Sequence, residues 1–203
     1  MTRRARPRCT LLGIGAAASA RFPPAGLLIE QRGVRIAIDG GPGAEPAAPL
    51  DAWLVSDERA ELMPAIRRKA RDLGIPAATS TFEADDLQIE PRPVVHTSHP
   101  AFGYLVHAAG MTVVWAPEFL RFPEWAAECD LMFAEAAAWS RPIRFAGRVG
   151  GHAPLLEVAE AAQANRVRRL VFAHVGRPTI RALDRGERPP FGEIGVVGRV
   201  YVP

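Results

Sequence analysis

The reactive side chains of this sequence stand at the ends of apolar runs. In "DAWLVSDERAEL", Asp51 to Leu62, the short apolar run Ala52 to Val55 leads into Asp57, Glu58, Arg59 and Glu61. Polar groups at the tip of a buried strand are placed to form a site, because loops carry function on a rigid scaffold. The same acidic residues also suit a helix N-terminus, where they offset the macrodipole. Of the five histidines, His96 directly follows Val94-Val95 and His99 lies just beyond it. His152 precedes a helical stretch, and His174 follows the apolar run Leu170 to Ala173. His107 lies inside a hairpin strand and reads as structural. Glu135, near the end of "DLMFAEA", reads as a strand-end carboxylate facing the same cluster. Carboxylates and imidazoles hold divalent metals and move protons near neutral pH.

These residues need a scaffold, and the chain is long enough to build one. Its 203 residues, 48% hydrophobic, suffice for one domain with a real core. No apolar run reaches the length of a membrane span. The formal charge of +3 is too small to argue for nucleic-acid binding. Cys9 and Cys129 form neither a disulfide framework nor a metal-type spacing. "GLLIEQRGVRIAID" reads as a hairpin turning at Arg32-Gly33, and "GYLVHAAGMTVVWA" as a second, turning at Gly110. "ELMPAIRRKARDLGI" reads as a helix with Leu62, Ile66, Ala70 and Leu73 on one face. A short helix is expected near Pro123 to Ala127, then the strand "DLMFAEA". "GHAPLLEVAEAAQANRVRRLVFAHV" reads as a helix opened by Pro154 and closed by Asn165, then a strand. Gly40 to Pro49 is a loop. Strand pairs with helix–strand units predict two sheets with helices outside.

Several stretches together resemble the metallo-β-lactamase superfamily, in particular its branch of tRNA 3′-processing endonucleases and small phosphodiesterases. "LLGIGAAAS" resembles the opening strand and glycine-rich loop, and "VRIAIDGGPG" the motif with Asp39 at its aspartate. "HTSHPAFGYLV" is similar to the segment where a metal-binding histidine precedes a Gly-Tyr strand. "GMTVVWAPE" resembles the strand ending in the metal-bridging aspartate, with Glu118 there. "DLMFAEAA" and "GHAPLLEVAEAA…VRRLVFAHV" resemble the closing elements. The resemblance implies one αββα sandwich over residues 1–203. It also makes Thr10 to Ile14 a core strand, although "MTRRARPRCTLLGIGAAASA" has the outline of an export signal.

In this family the strand matching "DAWLV" ends in His-x-His-x-Asp-His, which binds two metal ions. Laid over this chain without gaps, those positions fall on Asp57, Arg59, Glu61 and Leu62. Arginine stays protonated and only donates, so it cannot ligate a cation. The resemblance therefore implies at most one metal, held by Glu61, Glu118, His174 and His96, with zinc, manganese and iron suited to such donors. His96 and His99 compete for one family position, and His96 is preferred because it directly ends a strand. The resemblance further implies that His152 protonates or positions a leaving oxygen, with Asp57 catalytic beside it. Asp39 would orient the ligands.

Two functions follow from that resemblance. The first is a metal-dependent hydrolase of an ester or phosphodiester. The second is a metal-free ligand- or partner-binding protein, in which Arg59 replaces the metals by pairing with Asp57, Glu61 and Glu118. Arg141, Arg144 and Arg148 surround a loop that could hold an anionic substrate. The expected partner is a small molecule or phosphodiester, no membrane is involved, and the expected compartment is the cytoplasm.

Overall fold

The computed structural model describes residues 5–16 and 19–203; Ala17 and Ala18, in the export-like stretch, lie outside the described residues. Strands β1 (Arg8–Gly13), β2 (Gly26–Gln31), β3 (Val34–Asp39) and β4 (Ala52–Leu54) lead to helix α1 (Met63–Asp72). Then come β5 (Ala77–Ala78), β6 (Phe82–Ala84), β7 (Leu87–Val94), β8 (Ala101–Ala108), β9 (Met111–Ala116) and β10 (Leu131–Ala136). β11 (Ile143–Arg144) and β12 (Gly151–His152) precede α2 (Leu155–Ala164), β13 (Leu170–Val175) and α3 (Arg177–Asp184). β14 (Glu193–Ile194) and β15 (Val200–Tyr201) follow.

One sheet runs β15-β1-β2-β3-β4-β5, a second β14-β13-β10-β9-β8-β7-β6, and β11 pairs with β12 alone. Alternation along the strands sorts side chains between two cores. Ile36, Ile38 and Leu54 face inward to meet Val113, Trp115 and Phe133 of the second sheet. Ala37, Trp53 and Val55 face outward and take Met63, Ile66 and Ala70 of α1. Helix α2 packs on β10 and β13 across the other sheet. This is the αββα layering read from the sequence. The Thr10–Ile14 strand is seen as β1, between β15 and β2, with Cys9 and Leu11 buried.

Both hairpin turns are two residues long with positive φ, at Arg32-Gly33 and Ala109-Gly110. That conformation matches the right-handed strand twist and sets the register of β2 on β3 and of β8 on β9. The expected short helix is a single 3-10 turn, Glu124–Ala126. The connection from Ile75 to Val95 carries β5, β6 and β7. Among the described residues no helix is long and apolar enough to cross a membrane.

Candidate functional site

The strand ends converge on a cleft of about 420 Å³ lined by Asp57, Arg59, His96, His99, Glu118 and His174, with Phe145 and His152 on its wall. Glu118 follows β9 and divides its carboxylate between two imidazoles. His96 Nε2 donates to Oε2 at 2.7 Å, and His174 Nε2 to Oε1 at 2.9 Å. Each ring is anchored through its other nitrogen. His96 Nδ1 lies 3.1 Å from the Gly151 carbonyl, and His174 Nδ1 lies 3.3 Å from Glu135 Oε1.

Backbone irregularities make this convergence. β10 and β13 run parallel until a bulge shifts the register between Ala134 and Ala136. His174 sits at that irregularity with φ 59°. A left-handed φ at a histidine is strained and marks a position held for its side chain. Gly150-Gly151 clamps His96 from the other side: the Gly151 amide donates to the His96 carbonyl at 2.8 Å. A side chain at Gly150 would run into that same carbonyl.

Glu135 is fully buried and accepts four donors. Oε2 takes the Phe119 amide at 3.1 Å and His152 Nδ1 at 2.8 Å. Oε1 takes the Ala137 amide at 2.8 Å and His174 Nδ1. Glu135, His152 and His174 bring ligand atoms within 4.8 Å of one another, close enough for a metal. In the metal-free chain the Glu135 carboxylate is engaged by all four of these partners and holds the two imidazoles in place. Asp39, at φ 55°, is hydrogen-bonded to an amide and an indole and not to a site imidazole. Its oxygens accept the Ser56 amide and Trp115 Nε1, both at 2.7 Å.

The expected role of Arg59 needs correction. Its backbone amide donates to Asp57 Oδ1 at 2.7 Å, but its guanidinium pairs with no carboxylate among the described residues. Histidines take these carboxylates instead. His99 Nε2 donates to both Asp57 oxygens, at 2.8 and 3.0 Å, while His96 and His174 take Glu118. His96 and His99 thus go to different carboxylates, Glu118 and Asp57. Glu61 lines the cleft but is exposed and makes no contact with the Glu118 cluster. Arg141 and Arg144 are exposed and do not line the cleft; the Arg148 side chain lies outside the described residues. The Asp57–His99 pair and the Phe145 wall were not read from the sequence, whereas the Gly-Gly dipeptide before His152 was an available signal for the clamp. Arg59→His should leave stability within about 0.5 kcal/mol of wild type, as for a surface substitution, in urea denaturation of the metal-free protein. A larger loss would restore Arg59 as the structural cation.

The electrostatics follow the geometry. Burial opposes charge on His174, but Glu118 and Glu135 outweigh it and push its pKa up to about 10. Burial likewise opposes charge on His96, and Glu118 overcomes it, with a net upward shift. Burial would raise Glu118 and Glu135, yet their histidine partners hold both below the ordinary carboxylate value. Burial pushes Asp39 up to about 6 against its two hydrogen bonds.

The signs give a pH profile for the metal-free protein. The depressed carboxylates contribute stability present above 4.5 and lost as pH falls. The raised His174 contributes stability complete below 6.5 and lost as pH climbs toward 10. Asp39 disfavours the fold increasingly between 3.8 and about 6. Tm measured in EDTA should therefore peak between 4.5 and 6.5 and fall at higher pH. A Tm that rises from pH 6.5 to 9 would contradict this.

The β-lactamase superfamily domain model matches residues 42–175, more than half of the chain. Solved structures share the architecture. The metallo-β-lactamase fold protein YhfI from Bacillus subtilis aligns over 98% of this chain and 100% of its own, with TM-score 0.74 and 15% identity. A diphosphatase from the PhnP family aligns over 98% and 97%, with TM-score 0.71 and 14% identity. Zinc-bound PqqB from Methylobacterium extorquens aligns over 96% and 99%, with TM-score 0.69 and 12% identity. No curated protein matches the sequence. At these identities the likenesses show the metallo-β-lactamase fold.

Proposed function

This chain belongs to the β-lactamase superfamily, and from that premise we propose a hydrolase of ester or phosphodiester bonds that works with at most one divalent metal. One observation carries the reading. His96 and His174 each anchor Nδ1 on an acceptor and turn Nε2 to the same carboxylate, Glu118. Metal-bound histidines are held in this way, one nitrogen on an outer acceptor and the other on the ion. Two imidazoles and one carboxylate also leave coordination positions open for water and substrate, and suit zinc, iron or manganese. Arg59 and Leu62 contribute no ligand, which argues against a second ion. A diphosphatase and a zinc-bound protein among the similar folds support both the chemistry and the metal.

When bound, the ion supplies an acidified water and polarises the ester oxygen. The rest falls to side chains. Glu135 fixes the His152 ring by accepting from Nδ1, which leaves Nε2 as the nitrogen able to hand a proton to a leaving oxygen. His152 and Phe145 pack edge to face with centroids 5.4 Å apart, and together they wall the cleft. Asp57, tied to His99, also lines the cleft. The free buried thiols Cys9 and Cys129 support a reducing compartment, the cytoplasm.

The metal-free reading draws on the same atoms, because two imidazolium rings across Glu118 supply the positive charge that ions would bring. The distinguishing test is hydrolysis of bis-p-nitrophenyl phosphate and p-nitrophenyl acetate by protein loaded with one equivalent of Mn²⁺, Zn²⁺ or Fe²⁺. The hydrolase reading expects turnover of at least one ester that EDTA abolishes. No turnover of either ester with any ion would favour the binding protein.

A further inference from the structure

We propose that Arg59 makes the cleft a metal-independent oxyanion site, which recognises a tetrahedral phosphoryl group. Asp57 uses both oxygens on His99 and a further lone pair on the Arg59 amide. Glu118 spends both oxygens on His96 and His174. The interior acceptors of the cleft are thus engaged within the protein. On the donor side, the five N–H groups of the Arg59 guanidinium have no acceptor among the described residues. Glu61, exposed at the rim, is the remaining carboxylate without a partner there, and it does not pair with Arg59.

The Arg59 backbone is fixed at the cleft, while its side chain is exposed and free to turn toward a ligand. Its amide is pinned to Asp57, and the turn continues through the Ala60 amide on the Asp57 carbonyl at 3.2 Å. A charged donor on a fixed turn, beside a cleft whose interior carboxylates already have partners, selects an acceptor-rich anion. A guanidinium fork matches carboxylate and phosphate alike. The histidines separate the two. His152 and His99 line the same cleft, and each has one ring nitrogen not used by its carboxylate. A planar carboxylate held bidentately on Arg59 presents only its two oxygens, in the plane of the fork, whereas a tetrahedral phosphoryl group also presents a third oxygen out of that plane toward them.

This inference rests on the hydrolase reading for its biological sense, since it narrows the substrate to the phosphorylated class. Its test is a binding measurement, so the two can fail separately. EDTA-treated full-length protein is titrated calorimetrically with inorganic phosphate, phenylphosphonate and benzoate. Saturable binding of the first two is expected, with benzoate weaker. Arg59→Gln should weaken phosphate binding by at least about tenfold, given the strength of charge-assisted bidentate bonds. Arg59→Lys should fall between, and Arg144→Gln, outside the cleft, should match wild type. No phosphate binding by wild type, equal binding by Arg59→Gln, or benzoate binding as tightly as phenylphosphonate would overturn the proposal. Arg59-dependent binding without turnover under any metal would leave it standing while the hydrolase reading fails.

Discussion

Replacing Glu135 with alanine should lower stability by about 3–5 kcal/mol, the range for breaking a buried charged network by removing one partner. Four donors lose their acceptor together: the Phe119 and Ala137 amides and the rings of His152 and His174. Glu135 is fully buried, so water cannot replace its oxygens without a cavity opening. For a domain of this size the loss corresponds to a fall in Tm of about 10 °C. Glu135→Gln should lose less, because its carbonyl oxygen still serves some of these donors. Urea denaturation of the three proteins side by side checks the order. A loss below about 1 kcal/mol for the alanine variant, no more than an ordinary substitution, would mean that Glu135 is not the hub described.

Glu118→Gln should have the largest effect on metal binding. The amide offers one acceptor oxygen where the carboxylate offers two to His96 and His174. Removing an outer hydrogen-bond partner lowers metal affinity by roughly 10–100-fold, and loss of an anionic ligand should exceed that. Stability should respond in a pH-dependent way. Near pH 6 the two rings carry charge opposite Glu118, and the variant should lose about 2 kcal/mol, as when a charged hydrogen-bond partner is removed. Near pH 10, where His174 sheds its proton, the difference should shrink. Zinc titration in competition with a colorimetric chelator, together with denaturation at both pH values, measures the two effects. Wild-type zinc affinity in the variant would show that Glu118 is not a ligand.

The parts of the fold that could be read in advance are those governed by local rules. Two-residue turns at Arg32-Gly33 and Ala109-Gly110 announced both hairpins, and periodic apolar faces announced α1 and α2. β7 escaped because Pro91 and Pro93 argue against a strand. They are tolerated because β6 pairs only with Leu87 to Ile89, so beyond Ile89 the strand is an open edge. β5, β14 and β15 are two residues each, too short for any period.

At the site, His96, Glu118, His152 and His174 were legible as strand-end or helix-leading residues in a familiar order. Their pairings were not. Asp57 lies next to Arg59 in sequence, which made arginine the obvious cation. The fold instead delivers His99 from 42 residues away and leaves Arg59 only its amide to give. Glu61 lies exposed at the rim of the same cleft, on the turn that pins Arg59, and has no hydrogen bond or ion pair among the described residues. Charge partners chosen by tertiary structure cannot be ranked by sequence distance.

The central claim is a single surviving metal position formed by His96, Glu118 and His174. Its most direct test is elemental analysis of protein purified without chelator, with Tm followed on adding Mn²⁺, Zn²⁺ or EDTA. The account predicts close to one ion per chain and a Tm that falls on chelation and recovers with metal. Two ions per chain, or none with no Tm response to any ion, would contradict it.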